Sequence, residues 1–66
     1  MKIWINGESH LLSPEMTLAQ LLVEKRLEGR RIAVELNEEV VPRSQHDSRK
    51  IFPGDRIEVV HAIGGG

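Results

Sequence analysis

The residues with the clearest chemical potential are Gly64, Gly65 and Gly66, which close the sequence. Glycine has no Cβ, so a run of glycines can pass through a narrow cleft that a side chain would block. Gly66 also carries an α-carboxylate, which becomes an electrophile once one of its oxygens is converted into a leaving group. A frayed terminus or a cloning scar has the same composition, so the run alone does not distinguish a reactive tail from an inert one.

The other polar residues form no recognisable catalytic or metal-binding pattern. His10, His46 and His61 are far apart and match no zinc-ligand spacing, so we expect surface histidines and no metal. Neighbouring acids such as Glu38 and Glu39 are typical of turns. The sequence has no cysteine and therefore no thiol that would carry a persulfide or thioester. We assign no catalytic residue among these side chains.

Length and charge exclude several classes of protein. The chain has 66 residues, enough for one small domain, and nine basic against ten acidic residues give a net charge of −1. That balance argues against a nucleic-acid binder, which usually carries a basic excess. The apolar runs fall far short of the ~20 residues that a membrane span needs. The start of the chain has no signal-peptide pattern, so we expect a cytoplasmic location.

The first half of the chain predicts a hairpin followed by a helix. Lys2–Asn6 and Glu8–Leu12 are strand-like and are joined by Asn6-Gly7, a strong signal for a two-residue turn. Thr17 and Gln20 have the spacing of a capping box at the start of a helix of roughly ten residues. The helix is expected to end at Glu28-Gly29. Its apolar face is formed by Leu18, Leu21 and Leu22.

The second half predicts three further strands. Residues 32–37 alternate apolar and polar, and Val40-Val41 form a short strand that ends at Pro42. Residues 43–50 are polar and are expected to form a loop or a single helical turn. The remaining predictions are core packing by Ile51-Phe52, a turn at Pro53-Gly54-Asp55, and a last strand over Ile57–Ile63.

The order ββαβββ predicts one sheet with a helix on one face. A chain this short covers only that face, so the opposite face remains exposed with Trp4 and Val60 on neighbouring strands. Together with Ala62 and Ile63, these residues are the candidate partner-docking surface beside the glycines.

Four stretches resemble the ThiS family, the ubiquitin-like sulfur carrier proteins of thiamine biosynthesis, and together they cover essentially the whole chain. The stretches are Ile3–Gly7, Thr17–Leu22, Ile32–Asn37 with Val40–Arg43, and Pro53–Val59 running into His61–Gly66. The resemblance implies an α+β, β-grasp fold with a mixed sheet of four to five strands and one helix packed on one face. It also implies a division into a domain over 1–63 and a flexible glycine tail over 64–66.

The family chemistry is implied with it. A ThiF-type adenylating enzyme would use ATP to adenylate the Gly66 carboxylate, and a sulfur donor such as a cysteine desulfurase would convert it to a thiocarboxylate. Thiazole synthase, ThiG, would then take the sulfur into the thiazole ring of thiamine. Gly64 and Gly65 would insert into the partner. The chain would be a cosubstrate and not an enzyme, with no cofactor of its own, because ATP would bind the partner.

Three alternatives remain open from the sequence. One is the small subunit of a molybdopterin synthase, which would use the same chemistry for a different acceptor. The second is a non-covalent β-grasp module that binds a protein or RNA and has a meaningless tail. The third is a ubiquitin-like modifier conjugated to lysines. The role of the tail separates these classes.

Overall fold

The computed structural model describes residues 1–29 and 31–61. The elements are β1 (Lys2–Ile5), β2 (Glu8–Leu11), α1 (Leu18–Glu24), β3 (Ile32–Leu36), β4 (Glu39–Val40), a 3-10 turn (Arg43–Gln45) and β5 (Arg56–His61). The predicted order ββαβββ is confirmed, and the 3-10 turn occupies the polar segment where a loop or a helical turn was expected.

The strands form one mixed sheet in the order β2-β1-β5-β3-β4. β1 and β5 are parallel, whereas β1–β2, β3–β4 and β3–β5 are antiparallel. The last strand therefore lies in the centre of the sheet. This mixed sheet with a single helix confirms the predicted β-grasp fold.

One apolar cluster joins α1 to one face of the sheet. Ile3 and Ile5 of β1 are buried and Trp4 points to the other face, as the alternation predicted. The helix contributes Leu18, Leu21 and Leu22, all buried. The other buried apolar residues are Leu12, Val34, Leu36, Val41, Ile51, Ile57 and Val59.

The helix begins as predicted but ends earlier. The Thr17 hydroxyl accepts a hydrogen bond from the Gln20 N–H, and the Gln20 side chain accepts one from the Thr17 N–H, which completes the capping box. The predicted end at Gly29 is wrong, because Arg26 adopts φ 57° and stops the helix after seven residues. The N–H groups of Arg26 and Leu27 donate to the carbonyls of Val23 and Leu22, the pattern of a Schellman motif without glycine.

Phe52 is a second correction. Ile51 is buried as predicted, but Phe52 is 60% exposed. The Phe52 N–H donates to the Asp55 carboxylate at 2.8 Å, and its carbonyl accepts from the Asp55 N–H at 3.1 Å. These bonds close the Pro53-Gly54 turn and leave the Phe52 ring outside the core.

Candidate functional site

The strand that leads to the glycines is the best-anchored element of the sheet. Trp4 and Ile5 of β1 pair with Arg56 and Ile57, while all five residues of β3 pair with residues 57–61 of β5 on its other side. The side chains of Ile57 and Val59, which belong to β5 itself, are buried in the core. His61, the last described residue, lies opposite Ile32 at the end of this central strand. The residues after His61 therefore follow directly on a strand that is paired with both β1 and β3.

Several predicted site residues lie outside the part of the chain that the structure describes. They are the candidate modification site Gly66, the insertion residues Gly64 and Gly65, and the docking residues Ala62 and Ile63. The predicted boundary between a domain and a flexible tail falls in the same segment. The structure does describe the other two docking residues, Trp4 and Val60.

Trp4 and Val60 share the sheet face opposite α1, here called the outer face. Trp4 pairs with Arg56, and Val60 comes four residues later on β5. Four residues correspond to about 13 Å along a strand. The prediction that they share a face on neighbouring strands is confirmed, but they do not form one contiguous patch because the register separates them.

The Trp4 side chain is partly covered by its own strand. Trp4 is half-buried, and the Lys2 ammonium lies 5.5 Å from the centroid of its ring, within range of a cation–π interaction. A shallow hollow of about 310 Å³ adjoins the ring and is lined by Trp4, Gly7, Arg56, Ile57 and Glu58. The indole thus forms the wall of a depression and not a protruding anchor.

Val60 is the more accessible of the two, with 56% of its surface exposed. It lies directly opposite Ala33, and two pairs along the ladder, on the same face, Glu58 lies opposite Glu35. Residues opposite each other in a ladder share a face, so an apolar pair and an acidic pair lie side by side on the outer face. A complementary surface would be apolar and flanked by basic groups.

The histidines do not all lie at the surface as predicted. His46 is buried beside the 3-10 turn, and its Nε2–H donates to the Val41 carbonyl at 3.0 Å. The hydrogen bond gives it a structural role next to the core. Among the described residues, no group of three or more His, Asp or Glu side chains has the geometry to hold a metal ion.

The start of α1 also has its donors occupied. The Leu18 and Ala19 N–H groups donate to the carbonyls of Arg49 and His46 at 2.8 and 3.0 Å. Helix N-termini bind phosphate through free N–H groups of this kind. Here the loop that follows the 3-10 turn uses them to anchor the helix.

Sequence reasoning missed two asparagines that hold β5 through their side chains. The Val59 N–H donates to Asn6 Oδ1 at 2.8 Å, and the Arg56 N–H donates to Asn37 Oδ1 at 3.0 Å. Each asparagine is the first residue of a two-residue turn, and both have positive φ. That turn position was the available signal, but their bonds to β5 depend on the sheet order.

Within the described ranges, no helix is long and apolar enough to cross a membrane.

The ThiS family model matches residues 3–66. A thiamine biosynthesis protein (ThiS) from Geobacter metallireducens, known from a crystal structure, superposes with a TM-score of 0.90 at 28% identity and 100% coverage of both chains.

Relatives of two lengths match the chain. The sulfur carrier protein ThiS of Thermus thermophilus is 38% identical over 64 residues, which are 97% of this chain and 98% of that protein. Thiazole synthases of Paramagnetospirillum magneticum and Magnetococcus marinus are 44% and 42% identical over all 66 residues. The chain spans only 20% of the length of each of these two. Family match, relatives and fold agree that the chain belongs to the ThiS family.

Proposed function

We propose that this chain is a sulfur carrier of thiamine biosynthesis that bears its sulfur on the carboxylate of Gly66. The observation that carries the proposal is the ThiS family match over residues 3–66, which includes the glycines. The Thermus thermophilus sulfur carrier, which matches over nearly its whole length, supports the same role. The name of the two thiazole synthases supports the thiazole branch over the molybdopterin alternative.

The proposed chemistry has three steps. A carboxylate oxygen of Gly66 first attacks the α-phosphate of ATP on an adenylating enzyme of the ThiF type, and pyrophosphate leaves. The outer sulfur of a persulfide on a donor such as a cysteine desulfurase then attacks the acyl carbon, and AMP leaves. A thiol cleaves the resulting acyl disulfide, which forms a disulfide with the donor and releases the thiocarboxylate. The sequence without cysteine supports this route, because the chain offers no thiol of its own.

The chain acts in this scheme as a cosubstrate in the cytoplasm, and thiazole synthase is the acceptor. ATP would bind the adenylating enzyme; in this chain the Leu18 and Ala19 N–H groups at the start of α1 already donate to Arg49 and His46. Gly64 and Gly65 enter the partner cleft, where a Cβ would collide with its walls. Docking has to offset about 1–2 kcal/mol for each backbone residue that becomes ordered.

Intact mass tests this function directly. The chain is incubated with its cognate adenylating enzyme, ATP and sulfide, and the same mixture without ATP is the control. We expect the mass to rise by about 16 Da, the difference between oxygen and sulfur, with fragmentation locating the change at Gly66. A chain that keeps its original mass under these conditions, with no pyrophosphate released, would contradict the proposed function.

The outer face around Val60 is the proposed docking surface for the adenylating enzyme. Val60→Glu would place a third carboxylate beside Glu58 and Glu35 and would bury it unpaired in the complex. We expect the dissociation constant, measured by titration calorimetry, to rise roughly tenfold to a hundredfold.

Val23→Glu provides a matched control for this prediction. Val23 lies on α1 and is also 56% exposed, so it offers the same side chain at the same exposure on the other side of the domain. We expect its affinity to stay within about twofold of the wild-type value. Equal losses in the two variants would show that the outer face is not the docking surface.

A further inference from the structure

The two asparagines that hold β5 occupy equivalent positions in the fold. Asn6 begins the turn between β1 and β2 with φ 48°, and Asn37 begins the turn between β3 and β4 with φ 51°. β1 and β3 are the two strands that flank β5. Each asparagine therefore follows the last residue of a strand that flanks β5, and its side-chain amide hydrogen-bonds to β5. One amide reaches each end of β5.

Asn6 extends the ladder between β1 and β5 beyond the point where β1 ends. The backbone N–H groups of Trp4 and Asn6 donate to the carbonyls of Asp55 and Ile57 at 2.9 and 2.8 Å. Two residues further along β5, at Val59, the Asn6 side chain forms the hydrogen bonds that a backbone residue of β1 would otherwise form. Its Oδ1 accepts from the Val59 N–H at 2.8 Å, and its Nδ2 donates to the Val59 carbonyl at 3.3 Å. The side chain thus supplies a donor and an acceptor, as a strand residue would.

This contact lies two residues before His61, on the edge of β5 that β1 no longer covers. Along that edge the carbonyls of Asp55 and Ile57 and both backbone groups of Val59 are partnered. The pairing with β3 continues to His61 on the opposite edge. Without the Asn6 amide, the last residues of β5 would be held from one side only, and strand ends held in this way fray readily.

We propose that Asn6 is a positioning residue for the carrier end of the chain, by which we mean the residues that follow His61. Its amide fixes the end of β5, and with it the point at which the chain continues beyond His61. This inference rests on the proposed function, because position matters only if the glycines must reach a reaction centre. An end of β5 that is already ordered leaves less entropy to be lost on docking.

Asn37 gives the matched comparison because it binds the start of β5. Its Oδ1 accepts from the Arg56 N–H at 3.0 Å, and its Nδ2 donates to Asp55 Oδ1 at 3.0 Å. Asn37 therefore contributes two side-chain hydrogen bonds, as Asn6 does, at the opposite end of the same strand. Loss of either pair is expected to cost similar stability, but only Asn6 lies near the carrier end.

Asn6→Gly and Asn37→Gly form the test pair, since glycine accepts positive φ without strain and removes only the amide. For Asn6→Gly we expect KM for the carrier in the adenylation reaction to rise roughly five- to tenfold with kcat unchanged. For Asn37→Gly we expect KM to change less than about twofold. Asn6→Asp keeps the acceptor for the Val59 N–H but loses the donor, so its KM is expected to lie between that of wild type and that of Asn6→Gly.

Backbone NMR provides a readout that does not depend on the enzyme. Asn6→Gly is expected to speed amide exchange at Val59 and to lower the heteronuclear NOE from His61 onward, whereas Asn37→Gly speeds exchange at Arg56 alone. Equal NOE values from His61 onward in the two variants, or equal KM values, would overturn the positioning role. Failure of the wild-type chain to be adenylated would instead overturn the proposed function, and this inference with it.

Discussion

A chain extended by one residue after Gly66 is expected to yield no thiocarboxylate. The added residue converts the Gly66 carboxylate into an amide, so the acyl group that the adenylating enzyme activates is no longer in place. Gly66→Val is expected to fail for a different reason, because its branched side chain does not fit a cleft shaped for glycine. Both losses are measured as the absence of the mass increase of about 16 Da.

Two controls separate this prediction from misfolding. The extension follows Gly66, and the last buried core residue that the structure describes is Val59, so the urea midpoint of the extended chain should equal that of wild type. Removal of the added residue with a carboxypeptidase should restore conversion in the same sample. An extended chain that is still converted to a thiocarboxylate at the wild-type rate would refute the role of Gly66.

Leu21→Ala is expected to have the largest effect on stability. Leu21 has no exposed surface and lies in the middle of α1 against the sheet. Replacing a fully buried leucine by alanine costs about 2–5 kcal/mol. A chain of this length has only about 3–10 kcal/mol of stability in total. We therefore expect a large part of the Leu21→Ala protein to be unfolded at 37 °C, as measured by circular dichroism and by urea titration.

Val23→Ala is the control on the same helix. Val23 is 56% exposed, and alanine has the higher helix propensity, so the free energy of unfolding should change by less than about 0.5 kcal/mol. If the two substitutions lowered the urea midpoint equally, the packing of α1 against the sheet would have to be revised.

Features set by neighbouring residues were predictable from the sequence. The Asn6-Gly7 turn and the Thr17–Gln20 capping box each depend on residues at most three positions apart, and both are present. Alternation along β1 likewise depends only on adjacent residues, and it correctly placed Ile3 and Ile5 in the core and Trp4 outside it. Resemblance to a family supplied the β-grasp fold and pointed to the glycines.

Features set by distant parts of the chain were not predictable in this way. Arg26 takes a conformation that usually needs glycine, because the contacts of Leu27 with the core and with Leu22 stop the helix there. The register of β1 against β5 separates Trp4 from Val60, and alternation within one strand contains no information on that register. The bond from Val59 to Asn6 joins residues 53 positions apart.

The central place of β5 has a consequence for how the chain is synthesised. β5 is synthesised after the other four strands, yet among the described strands it is the one that joins the hairpin β1–β2 to the hairpin β3–β4 in the sheet. The pairing of Trp4 with Arg56 spans most of the chain, so folding must wait until that strand is available. A chain truncated before residue 56 would have two hairpins without the ladder that connects them. Copies that end before residue 56 therefore lack the folded outer face that we propose as the docking surface.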